Sequence, residues 1–219
     1  PILNGEHSLP EDQTLISNRV IIKTEKGDIK GVIGSKPAHL MTPQDAANVY
    51  PKKFMYIDVG AASGKEIAEM GIRIGNPIIP DTIFGALNEN IFLGKAFDCR
   101  LGCAAFTALL DSLENDKHPN TLYGVGTVQE ELGCRGAATV ANTIQPDICI
   151  ALEGGYTTDV PGCEMEDGVA FLGGGPCVAV MDASMIPNPN LLSFVINTAK
   201  ENNIPLQLGC TPAGTDGGI

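Results

Sequence analysis

Past about residue 92, short apolar runs alternate with helical stripes, and that alternation constrains the fold more than any other feature of the chain. Residues 121–128, 147–152, 177–181 and 204–208 read as strands, and 100–113, 136–144 and 190–202 as helices. Parallel strands need long crossovers, usually helical, so strands that alternate with helices imply a largely parallel sheet covered on both faces. Leu101, Ala104, Ala105, Ala108 and Leu109 form one helical stripe, and Leu191, Leu192, Val195, Ile196 and Ala199 another.

The earlier part has a different texture. Residues 18–24 and 29–33 are rich in β-branched side chains and flank a Glu25-Lys26-Gly27-Asp28 turn, a hairpin signal. Residues 53–59 read as a further strand. Ser63 followed three residues later by Glu66 is a capping box and opens a short helix over 63–70. Residues 76–80 carry two prolines and suit an edge strand or loop. Closely spaced strands of this kind predict a small barrel-like module over 1–92, followed by an α/β domain over 93–219.

Carboxylates stand where such a sheet collects ligands, outside the carboxyl ends of its strands. Glu130 and Glu131 follow the run at 121–128, Glu153 follows 147–152, and Asp98 precedes the helix at 100–113. Asp98 also suits a helix N-cap. Acidic groups gathered in one cleft repel each other unless a cation joins them, which suggests a metal-activated hydrolase. Neighbours in extended backbone point opposite ways, so one of the adjacent glutamates can bind metal while the other acts as a base.

The 26 acidic residues outnumber the 14 basic ones, for a net charge of −12. That argues against nucleic acid or an anionic membrane as partner, because Lys and Arg must displace their counterions. No apolar run reaches bilayer length. The seven cysteines include no C-x-x-C pair and read as small buried thiols in a reducing cytoplasm.

Three blocks carry a resemblance: Lys-Ala-Phe-Asp-Cys-Arg-Leu-Gly-Cys-Ala at 95–104, Gly-Thr-Val-Gln-Glu-Glu-Leu-Gly-Cys-Arg-Gly-Ala at 126–137, and Gly-Thr-Asp-Gly-Gly at 214–218. They resemble the tetrahedral aminopeptidases, also called glutamyl aminopeptidases or cellulase M. The strand-rich stretch at 19–39 is similar to the β-barrel dimerisation domain that interrupts the catalytic domain in that family. The resemblance implies a zinc-peptidase-like mixed sheet with helices on both faces. It also implies cytoplasmic residence, peptide substrates, self-association as a dimer or larger, and two divalent metal ions, zinc or cobalt. Position by position, Asp98 matches the carboxylate that bridges the metals and Glu130 the general base. Glu131 matches a ligand of one metal and Glu153 a ligand of the other, where many relatives have Asp. The family completes its site with two histidines. His7, His39 and His118 stand in no matching motif and read as surface residues. Pro1 and Ile219 do not look like natural termini, so the chain reads as a piece of a longer protein that binds metal poorly alone.

Two other functions compete. A glycoside hydrolase also uses paired carboxylates, but these must flank a bond at roughly 5–9 Å, and Glu130 and Glu131 are sequence neighbours. A metal-poor assembly protein would keep the barrel interface without chemistry.

Overall fold

The turn residues and β-branched runs of the first segment build its hairpin. In the computed structural model, which describes residues 14–43, 48–163 and 170–219, β1 (Arg19–Thr24) pairs antiparallel with β2 (Gly27–Gly34). The Thr24 hydroxyl closes the turn, donating to the Gly27 carbonyl at 2.8 Å and accepting from the Lys26 N–H at 3.1 Å. Val20 and Ile22, two residues apart, face the same side and are buried. β3 (Tyr56–Asp58) adds to β2, and β4 (Ile78–Pro80) adds to β1. The sheet order is β3-β2-β1-β4, so the proline-bearing strand lies at an edge, where its missing N–H costs no ladder bond. The strand expected over 53–59 is shorter, because a 3-10 turn at Lys52–Phe54 takes its first residues.

Helix α1 (Gly64–Glu69) starts at the capping box. The Glu66 N–H donates to the Ser63 hydroxyl at 3.2 Å, and the Glu66 carboxylate accepts from the Ala62 N–H at 2.9 Å. In a two-stranded piece, β5 (Gly85–Ala86) with β6 (Phe92–Leu93), the Phe92 ring stacks on Phe84 just before β5.

The chain divides into two compact units between Lys95 and Ala96. The second is mixed α/β. It contains α2 (Phe97–Leu113), α3 (Arg135–Ile144), β7 (Cys177–Met181), α4 (Pro189–Glu201) and β8 (Gln207–Cys210), with β7 and β8 parallel. Asn188 caps α4 by accepting from the N–H groups of Asn190 and Leu191, and Pro189 takes the first helical position. The stripe expected on α4 is its covered face: Ala199 is buried, and Leu191, Leu192, Val195 and Ile196 are half-buried.

Four expectations are corrected. Residues 121–128 and 147–152 form no ladder among the described residues, since an apolar run becomes a strand only with a partner edge. The last strand starts at Gln207, not 204, because the Ile204 N–H bonds back to the Ala199 carbonyl at 2.8 Å and Pro205 has no N–H to offer. On α2 the expected stripe is exposed, and the covered positions are Cys99, Gly102, Phe106 and Leu113, spaced along another face. The cysteines are not buried as a set: Cys99 and Cys134 are half-buried, and the other five are exposed.

Candidate metal centre

Asp98 sits where the chain enters α2, at a break in the helical backbone. Asp98 (φ −82°, ψ 109°) and Cys99 (φ −121°, ψ 62°) are non-helical, and the cap position falls on Ala96 with no side-chain cap bond. The capping role considered for Asp98 is therefore not the one it plays. Gly102, one turn into α2, lies against the segment that carries Glu153. A Cβ there would stand 2.0 Å from the Leu152 carbonyl oxygen, so only glycine permits the approach. The Cys99 thiol donates to that same carbonyl at 3.2 Å and accepts from the Gly154 N–H at 3.1 Å. Ligand atoms of Asp98, Cys99 and Glu153 consequently lie within 4.8 Å of one another.

The adjacent glutamates are not in extended backbone. They occupy a 3-10 turn, Glu130–Leu132, entered through left-handed Gln129 (φ 60°) and left through Gly133 (φ 99°). Three residues per turn separate neighbours by about 120° rather than 180°, so the two carboxylates still diverge. The N–H groups of Gly133 and Cys134 both donate to the Glu130 carbonyl at 2.9 Å, which folds the turn back toward α3. Behind it, Gly136 presses on Val128, where a Cβ would lie 2.4 Å from the backbone nitrogen.

Ligand atoms of Glu130, Cys134 and Asp216 form a second group within 4.8 Å. The Cys134 thiol donates to Glu130 Oε1 at 3.7 Å, and the Thr127 hydroxyl donates to Asp216 Oδ2 at 2.5 Å. Among the described residues, Asp216 Oδ1 is buried and has no hydrogen-bond partner. Burial pushes the Glu130 carboxyl above its ordinary range. The Cys134 hydrogen bond opposes this, while the charges of Glu153, Glu131 and Asp216 add to it. Burial and the Glu130 charge push the Cys134 thiol up to about 11, so it stays protonated at neutral pH.

The loop that bears Asp216 is anchored from beneath by Asp182, which is buried. Asp182 Oδ1 accepts from the Ser184 N–H, the Ser184 hydroxyl and the Met185 N–H at 2.7, 2.8 and 2.6 Å. Its Oδ2 accepts from the Thr215 hydroxyl at 3.2 Å. Thr215 in turn caps the 3-10 turn Asp216–Gly218 by accepting from the Gly217 N–H. Burial raises the Asp182 carboxyl, but the bonds from Ser184, Met185 and Thr215 outweigh it and hold the group below the ordinary carboxylate range.

Of the residues expected from sequence, Asp98 and Glu153 are brought together, and Glu130 lies within reach of the charges of Glu153 and Glu131. Glu131 is in neither three-residue group. His39 and His118 are exposed, with His118 Nδ1 2.8 Å from the Asn120 carbonyl oxygen, and His7 lies outside the described residues. Sequence reasoning missed Cys99, Cys134 and Asp216. Each sat inside a quoted block, but only the fold shows which carboxylate it serves. Two carboxylate pairs, Asp98 with Glu153 and Glu130 with Asp216, each drawn from separate segments, fit a divalent cation.

The comparisons with known proteins agree with this chemistry. Residues 10–219 match the M42 glutamyl aminopeptidase family, and the chain belongs to that family. It is 35% identical over 216 residues to the lysyl aminopeptidase of Pyrococcus furiosus, covering 96% of this chain and 59% of that protein. The crystal structure of the TET aminopeptidase from the marine sediment archaeon Thaumarchaeota archaeon SCGC AB-539-E09 superposes with a TM-score of 0.91 at 40% identity, covering 94% of this chain and 59% of that one. The Pyrococcus horikoshii TET1 peptidase, which can assemble into a tetrahedron or a large octahedral shell, superposes with a TM-score of 0.77 at 32% identity, covering 94% of this chain and 60% of that one. The chain thus spans somewhat under two thirds of the length of these relatives.

Proposed function

We propose that this chain contributes the carboxylate face of a two-metal aminopeptidase that removes residues from the amino termini of peptides. The observation that carries the reading is the convergence of acidic side chains from separate segments: Asp98 with Glu153, and Glu130 with Asp216. Family membership supports hydrolysis of peptides over the glycosidase reading, and nothing in the site favours a purely structural protein.

In this reading Asp98, Glu131 and Glu153 would hold two divalent ions, zinc or cobalt. The bound ions would supply Lewis acidity to the scissile carbonyl and compensate the clustered negative charge. Glu130 takes a proton from the attacking water and returns one to the leaving amine. Its raised affinity for a proton, held by burial and neighbouring carboxylates, suits that double role. The unit that ends at Lys95 acts as the barrel-like dimerisation module, and self-association follows from it. Exposed thiols at Cys103, Cys149 and Cys210 support residence in the cytoplasm, since an oxidising compartment would tend to link them. Among the described residues no helix is long and apolar enough to cross a membrane.

Glu130→Gln tests the reading in the intact protein. The amide cannot accept the proton, so turnover on an aminoacyl substrate should fall by about 10² to 10⁴, with fold and bound metal retained. Near-normal turnover with full metal content would refute the assignment.

A further inference from the structure

We propose that Cys99 is a positioning residue: its thiol clips the segment that carries Glu153 to the turn that carries Asp98, and so sets the separation of these two carboxylates. The proposal rests on the metal reading above. Cys99 Sγ bonds to the residues on both sides of Glu153, donating to the Leu152 carbonyl at 3.2 Å and accepting from the Gly154 N–H at 3.1 Å. Glutamate has one more rotatable bond than aspartate, so a Glu ligand depends more on a fixed backbone. Two glycines let that backbone come close. A Cβ on Gly102 would meet Leu152 O at 2.0 Å and Cys99 Sγ at 2.9 Å, and one on Gly154 would meet Phe97 O at 3.3 Å and the Asp98 Cα at 3.4 Å. Residues 152–154 are therefore pressed on 97–102, with the thiol as the polar link between them.

The geometry assigns Cys99 to positioning rather than ligation. A thiol has one proton, and here it serves a hydrogen bond to the Leu152 carbonyl or to the Glu153 carboxylate. A metal takes the thiolate, so ligation would sacrifice that bond. A serine hydroxyl can both donate and accept and would keep the clip, whereas alanine removes it.

The test compares Cys99→Ala and Cys99→Ser with wild type in the intact protein, using two readouts besides activity. In metal-free protein, amide exchange at Gly154 should speed up at least about tenfold in C99A and stay near wild type in C99S. Zinc affinity, measured by competition with a chromophoric chelator, should fall about 10- to 100-fold in C99A and be largely restored in C99S, as for other groups that orient metal ligands. Equal Gly154 exchange in wild type and C99A overturns the clip. Faster exchange with unchanged zinc affinity overturns its role in setting the carboxylates. A thiolate-to-cobalt absorption band in cobalt-loaded wild type, lost in C99S, would make Cys99 a ligand and also overturn the proposal. Failure of wild type to bind zinc at all instead sinks the metal reading on which it rests, and the exchange readout keeps these failures distinct.

Discussion

At the candidate centre Glu130 stands half-buried among acidic neighbours, and its proton affinity is the property they set. Glu130 is raised first by burial and then by the charges of Glu153, Glu131 and Asp216, against the pull of the Cys134 thiol. Removing one charge should let Glu130 ionise more easily. In metal-free protein, Asp216→Asn should lower the pH at which Glu130 titrates, as followed by its side-chain carboxyl carbon shift. An unchanged or higher titration point would show that Asp216 does not act on Glu130 electrostatically. The residue scale is also where sequence reading was least complete. Asp98, Glu130, Glu131 and Glu153 were legible as chemistry-bearing types beside apolar runs. Cys99 looked like a filler thiol, because its two bonds go to residues 53 and 55 positions away. Asp216 was visible only as part of a glycine-rich block, because its partner Thr127 is 89 positions distant.

Among the elements, those legible in the sequence were those that complete themselves locally. The hairpin β1–β2 carries its own turn, α1 its own capping box, and α4 its own cap and apolar stripe. The runs at 121–128 and 147–152 carry strand-like composition but no partner among the described residues, and pairing is a property of two segments. The loop that bears Asp216 is likewise held from a distance, by Asp182 at the end of β7, and that dependence gives a prediction with a definite sign. The Asp182 carboxyl is held below its ordinary range, so the folded state binds the proton less readily than the unfolded chain does. Its stabilisation is fully present above the unfolded value of roughly 3.9 and is lost as pH falls through the lower folded value. Asp182→Asn should destabilise the protein at neutral pH by about 1.5–3 kcal/mol, since it weakens hydrogen bonds to a charged acceptor. Thermal melts should show the gap between wild type and variant narrowing as the pH is lowered below about 4. A gap that is constant from pH 7 to pH 3 would mean that the ionised carboxylate is not what holds the loop.

At the largest scale, the 219-residue chain is acidic, with a net charge of −12, and that bears on the proposed self-association. Copies of a chain this negative repel at long range, and the repulsion is screened over roughly 10 Å at 0.1 M salt. An interface must therefore overcome a penalty that shrinks as salt is added. The first unit offers apolar surface for such an interface, with Val32, Phe54, Tyr56 and Ile78 all exposed beside or on its sheet. Apolar contact is not weakened by screening, so added salt relieves the repulsion without loosening such an interface. Light scattering on the intact protein at micromolar concentration should give a mass of at least two chains. That mass should hold or rise as sodium chloride is raised from about 0.02 to 0.5 M, the range over which screening becomes strong. An interface built instead on exposed ion pairs between copies would loosen over the same range. Dissociation on adding salt would thus move the contact away from the apolar surface, and a strict monomer at every salt concentration would remove self-association from the proposed function altogether.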